Sequence, residues 1–183
     1  MKKTLLSPAI ASLAAGQSVC AAVEKVYNEP DSVYIFSYAH PEDEGRSGLK
    51  FAWRPDGDKW LRVSDGFAYL KCDFGRWGAE KRMIKPLLEK AEDGRWYCRW
   101  QLTPSGKVWG TSHSSDLLKW APQQYVNAEK PAVPRLVTAR QIVLDKDTLN
   151  GYMQKVPYAD IEQLILFAEH KTFRDIQNKE RPE

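Results

Sequence analysis

Between Tyr34 and Tyr125 the apolar residues come in short clusters broken by turn residues, and the clusters are rich in β-branched and aromatic side chains. VYIFSY (33–38) and RWYCRW (95–100) are the strongest of them and predict strands. LKFAW (49–53) stops at RPDGDK, where Pro55 and Gly57 favour a tight turn, and WLRVS (60–64) returns. KVWGTS (107–112) stops at HSSDLLK, and WAPQQY (120–125) returns in the same way. EDGRW and PSGKV add further turn signals. The whole stretch reads as antiparallel β structure. Beyond it, VNAEKPAVP carries Pro131 and Pro134 and reads as a linker over 127–139. RQIVLD and GYMQKV then predict a hairpin turning around Asn150 and Gly151. From Pro157 the period changes: Ile161, Leu164, Ile165 and Ala168 recur at helical spacing. Pro157 suits a first helical turn, Asp160 and Glu162 suit its positive end, and the helix is expected to run to about Gln177.

The pattern also repeats. FAWRPDGDKW ends at Trp60 and TSHSSDLLKW ends at Trp120, and aligning the tryptophans sets Asp56 opposite Asp116 and Lys59 opposite Lys119. Upstream, the aromatic runs around Tyr34 and Trp96 also correspond. The shared order is an aromatic strand, a second strand, an Asp turn and a Lys-Trp strand. Repeated small sheets of this period suggest propeller blades, with units at about 32–66 and 94–126 inside a β domain spanning 30–126. A hairpin plus helix over 140–183 completes the predicted organisation.

The first residues change the charge picture. MKKTLLSPAIASLAAGQSVCAA has Lys2 and Lys3, then an uncharged run, with small residues at Val19 and Ala21. It reads as a secretory signal peptide over 1–21, cut after Ala21. A frayed N-terminal helix and lipid anchoring at Cys20 are the other readings, though Val19 is a poor residue before a lipidated cysteine. Pro8 and the shortness of the run argue against a membrane span. The formal charge of +3 includes two lysines that cleavage would remove, so little net field is left to draw the chain to nucleic acid. Export to the periplasm or the extracellular space would leave Cys72 and Cys98 as the remaining cysteines in an oxidising compartment. A bridge between them is expected to add roughly 3–4 kcal/mol; two buried free thiols are the alternative. No Cys and His spacing suggests zinc, and no metal or cofactor is expected.

No G-x-S-x-G, HExxH, P-loop or GxGxxG is present, and His40, His113 and His170 are scattered. What remains is carboxylates, arginines and aromatics. HPEDEGRSG offers Glu42, Asp43, Glu44 and Arg46. CDFGRWGAEKRM (72–83) offers Asp73, Arg76, Trp77, Glu80, Lys81 and Arg82. Sugars stack on indole faces, while Asp, Glu and Arg fix the hydroxyls, and suitably spaced carboxylates can act as acid and base. The stretch is expected to be a loop between the two units. It can be a salt-bridged structural loop, a sugar-contacting loop or a catalytic loop. Arg46, Asp73, Arg76, Trp77, Glu80 and Arg82 are the candidate substrate-binding residues.

VYIFSYA, GLKFAWRPDGDKW, FGRWGAEKRM, SSDLLKWAPQQY and GYMQKVPYADIEQLI, in this order, resemble the glycoside hydrolase family 43-like sequences of secreted bacterial arabinosidase-type proteins. The resemblance runs with interruptions from about Ser32 to Ile165. It implies a five-bladed propeller with a sugar pocket at its axis, arabinose-containing glycans as substrate class, and three catalytic acids on the early blades. The chain departs from that pattern. Asp31 precedes the first strand without the usual context, Lys85 stands before Pro86 where an acid is expected, and the later blades are missing. No catalytic set is transferred. The readings that follow are a carbohydrate-active hydrolase, a non-catalytic sugar-binding or accessory domain, or a truncated remnant. The C-terminal hairpin and helix are expected to cover the apolar faces that missing blades would expose.

Overall fold

The computed structural model describes residues 30–55, 59–63 and 67–179, with side chains described as far as Lys171. The expected signal peptide, Cys20 and the Asp56 turn of the first repeat lie outside the described residues. The protein is mainly β, with two antiparallel sheets and one C-terminal helix. The strands are β1 (Ser32–Tyr38), β2 (Lys50–Arg54), β3 (Leu61–Arg62), β4 (Ile84–Lys90), β5 (Trp96–Gln101), β6 (Val108–Ser114), β7 (Gln124–Asn127), β8 (Val137–Leu144) and β9 (Asp147–Pro157). Helix α1 (Glu162–Lys179) follows a short 3-10 turn at Tyr158–Asp160.

One sheet has the order β3-β2-β1-β9-β8 and the other β4-β5-β6-β7. The two sequence units therefore form matching meanders, β1-β2-β3 and β5-β6-β7. Each gains a further strand on its first-strand side: β4 joins β5, and β9 returns from the C-terminal part of the chain to join β1. The hairpin thus does not form a separate layer; it completes the first sheet.

The sheets pack face to face. β5 alternates strictly, so Trp96, Cys98 and Trp100 point into the core. Val33 and Ile35 of β1, with Leu49 and Phe51, meet them from the other sheet. Ile161, Leu164, Ile165 and Ala168 of α1 close the same core, so the helix covers the apolar face as expected. β1 is buried on its second face too. There Phe36 and Tyr38 pack with Ala52 and with Ile142, Leu144 and Leu149 of the β8–β9 hairpin. Side chains also tie the sheets together: the Ser37 hydroxyl donates to the Pro86 carbonyl at 3.1 Å, and the Gln154 amide donates to the Leu88 carbonyl at 3.2 Å.

Two expectations need correction, and one strand within the predicted β stretch has no assignment of its own in the pattern. The β8–β9 turn lies at Asp145 and Lys146, with Leu144 paired to Asp147, while Asn150 and Gly151 sit inside β9. Gly151 serves a close approach instead of a turn: a Cβ there would stand 2.2 Å from the Ser37 carbonyl oxygen and 2.7 Å from the Phe36 ring. MIKPLLEK holds that unassigned strand, β4, which the pattern concealed because Pro86 interrupts it. β4 is a sheet edge with a bulge between Ile84 and Leu87, the setting in which a strand accepts proline. The second correction is that Cys72 and Cys98 are both free and buried, not bridged. Cys98 faces the core from β5, where burial pushes its thiol pKa far up. The Cys72 sulfur instead lies 3.5 Å from the Tyr125 hydroxyl.

Candidate functional site

Residues 72–83 form an irregular connection between β3 and β4, with one 3-10 turn at Gly78–Glu80. The loop is pinned at its start. The Gln123 amide donates to the Lys71 carbonyl at 2.7 Å and its oxygen accepts the Asp73 N–H at 3.1 Å. The Tyr125 hydroxyl stands 2.6 Å from the Asp73 carboxylate and also near the Gln123 oxygen. A phenol has one proton to give, and the ionised carboxylate is the stronger acceptor. Burial, followed by these neighbours, pushes the Tyr125 pKa well up, so the hydroxyl stays protonated as a donor. Phe74 packs on the Tyr125 ring, with centroids 4.8 Å apart.

The next turn is held by Glu80. Its carboxylate accepts the N–H groups of Arg76 at 2.9 Å and Trp77 at 3.1 Å. Gly75 has φ +74°, and any Cβ there would strike that carboxylate at 2.3 Å. Only glycine allows the backbone to wrap so closely around the acid. Glu80 thus fixes the backbone at Trp77, while the indole itself is 73% exposed. It is not buried beneath the loop.

Arg46 and Arg82 meet elsewhere. Both donate to the Glu44 carboxylate, each at 2.8 Å. The preceding Asp43 caps that loop by accepting the N–H groups of Gly45 and Ser47. The six candidate residues therefore fall into two groups: Asp73, Arg76, Trp77 and Glu80 in the pinned loop, and Arg46 with Arg82 around Glu44. Each carboxylate here is already engaged as an acceptor.

A second region went unread as a site. A cleft of about 580 Å³ lies between β4 and the β8–β9 hairpin, lined by Lys85, Lys130, Ala139, Arg140, Gln141, Asn150, Gly151 and Tyr152. A smaller cleft of about 270 Å³ shares Lys85 and Asn150 with it and adds His40 and Glu44. Burial, then Lys50, lowers the His40 pKa, so its ring is largely neutral at pH 7. Lys85 has φ +50° within the β4 bulge, an uncommon conformation for a residue with a side chain and more so before proline. Lys130, Arg140 and Tyr152 carry no local motif, so only the fold reveals that they share a cleft. The Lys85-Pro86 pair was the one visible signal.

No protein-family model, no curated protein and no solved structure matches this chain. Among the described residues, no helix is long and apolar enough to cross a membrane.

Proposed function

We propose that the protein is an exported carbohydrate-binding protein, related in design to family 43 glycosidases, whose sheets are propeller-like units and whose 72–83 loop takes arabinose-containing glycans. The observation that carries this reading is the presentation of Trp77: an indole 73% exposed on a backbone that Glu80 and Asp73 hold in place. An exposed indole offers a flat apolar face on which a sugar ring can stack, and a fixed backbone reduces the entropy lost when it does. Arg76, beside it in the loop, supplies donors for hydroxyls.

Hydrolysis is the second reading. It needs two carboxylates at a defined separation across the scissile bond, one of them free to carry a proton. The acids of both candidate groups are engaged: in the loop Asp73 accepts from Tyr125 and Glu80 from two backbone N–H groups, and in the other group Glu44 pairs with two arginines. That favours binding over turnover. Affinity electrophoresis or calorimetry with arabino-oligosaccharides tests the proposal. Binding that disappears in Trp77→Ala, with melting temperature kept, supports it. Failure of the parent protein to bind overturns it, and release of chromophore from a nitrophenyl arabinofuranoside would restore the hydrolytic reading.

A further inference from the structure

We infer that the cleft between β4 and the β8–β9 hairpin is a second binding site, built for a sugar that carries a carboxylate. Lys85 and Lys130 line it as cations, Arg140 borders it from β8 with its side chain on the face of Gly151 and Phe36, and no acid stands among its described lining residues. Among the described residues, none of the three forms an ion pair. Positive charge gathered in a concavity without its counter-charge attracts an anion.

The remaining lining chooses the kind of anion. Gln141 and Asn150 face each other across the β8–β9 ladder, and the Gln141 amide nitrogen donates to the Asn150 oxygen at 3.2 Å. That bond leaves the Gln141 oxygen as an acceptor and the Asn150 amide nitrogen as a donor. Such a pair matches ring hydroxyls, which both give and accept. Tyr152, half-buried, adds an aromatic wall, and burial raises its pKa so that it remains neutral. The volume of about 580 Å³ falls within the usual span of small-ligand sites, roughly 300–1,000 Å³.

Lys85 gives the site its second, independent mark. The bulge between Ile84 and Leu87 holds it at φ +50° immediately before Pro86. Bulges re-aim side chains next to sites, and a strained backbone persists where a function needs it. Lys85 lines both neighbouring clefts, so this one residue stands at their common wall. The sugar part of the inference rests on the carbohydrate reading above; the anion part does not.

The test is calorimetry on the full chain with a short oligogalacturonide, the same oligosaccharide with its carboxylates reduced to alcohols, and sodium acetate. The acidic oligosaccharide is expected to bind at least about tenfold more tightly than the reduced one, the gain of one charge-assisted contact. Affinity should fall with added salt, and Lys85→Gln and Lys130→Gln should each weaken it by about tenfold. Trp77→Ala should leave it unchanged, which separates this site from the loop. Equal affinity for the acidic and reduced sugars overturns the anion site, as does unaltered binding in the Lys85→Gln, Lys130→Gln double variant. Acetate binding as tightly as the oligosaccharide overturns the sugar half. If arabino-oligosaccharides fail while the uronate binds, the loop reading falls and this one stands.

Discussion

Arg62 on β3 and Asp147 at the start of β9 meet at 3.0 Å, although 85 residues separate them. β3 is one edge of the five-stranded sheet and β8 is the other, so the contact shows that the sheet curls until the hairpin tip reaches its far edge. The guanidinium also donates to Asp145 at 2.7 Å. Burial disfavours its charge, but the two carboxylates outweigh that and raise its pKa. Its side chain is 19% exposed, against 46% for Asp147 and 70% for Asp145. The cluster of Phe36, Tyr38, Leu144 and Leu149 lies under this clasp.

Replacing Arg62 with Met should therefore cost about 1–2 kcal/mol, less than a buried pair would, because the stranded acids keep water. Chemical denaturation measures it. A double-mutant cycle with Asp147→Asn should return a coupling of about 0.5–1.5 kcal/mol. An unchanged midpoint in Arg62→Met would show that the hairpin tip holds by apolar packing alone.

Gly110 faces Trp100 across the β5–β6 ladder, and a Cβ on it would stand 2.3 Å from the indole. The fully buried ring has no room to retreat. Gly110→Ala should destabilise by about 1–3 kcal/mol or more through overpacking, and alter near-ultraviolet dichroism as the indole shifts. Gly78→Ala is the control, since nothing lies within 4 Å of its added Cβ. Its midpoint should not move.

Gly151 and Pro86 show what the sequence disclosed and what it hid. The strands around VYIFSY and RWYCRW, the paired meanders and the helical stripe at Ile161, Leu164, Ile165 and Ala168 were legible because each follows from local period. Gly151 misled because an Asn-Gly pair signals a turn locally, whereas here a distant partner, the Ser37 carbonyl, demands the missing Cβ. β4 was concealed for the same reason: only its place at a sheet edge reconciles Pro86 with a strand. The pinned loop was legible as a loop, and Trp77 as one of its candidate residues. The cleft was not, because its lining comes from β4, the segment after β7, and the β8–β9 hairpin.

Asp116 organises the turn after β6. Its carboxylate accepts the N–H groups of Leu118 at 2.9 Å and Lys119 at 2.8 Å and the Ser114 hydroxyl at 3.1 Å. Burial would raise its pKa, but these bonds outweigh burial and hold it below the ordinary value. A carboxyl depressed on folding stabilises above its unfolded pKa, near 4, and loses that contribution as pH falls through the folded value. At pH 7 the parent should exceed Asp116→Asn by about 0.5–1.5 kcal/mol. Denaturation midpoints measured from pH 7 down to pH 2 should show the difference shrinking below pH 4. A gap independent of pH would mean that geometry, not charge, carries the turn.

Lys85 allows strain and binding to be separated. Glycine accepts its φ of +50° without steric cost, while every other side chain retains the conflict. Relief of a left-handed conformation should exceed the backbone entropy that glycine adds to the unfolded chain, because proline at the next position already limits that freedom. Lys85→Gly is therefore expected to stabilise by about 0.5–1 kcal/mol. Lys85→Gln keeps the strain and removes only the charge, so its stability should stay within about 0.5 kcal/mol of the parent. Both variants should lose uronate affinity. A stabilised glycine variant that binds weakly would show that the bulge holds Lys85 against its own preference for the sake of the cleft. A destabilised one would show instead that the lysine stem packs productively against β4 and that its conformation serves the fold.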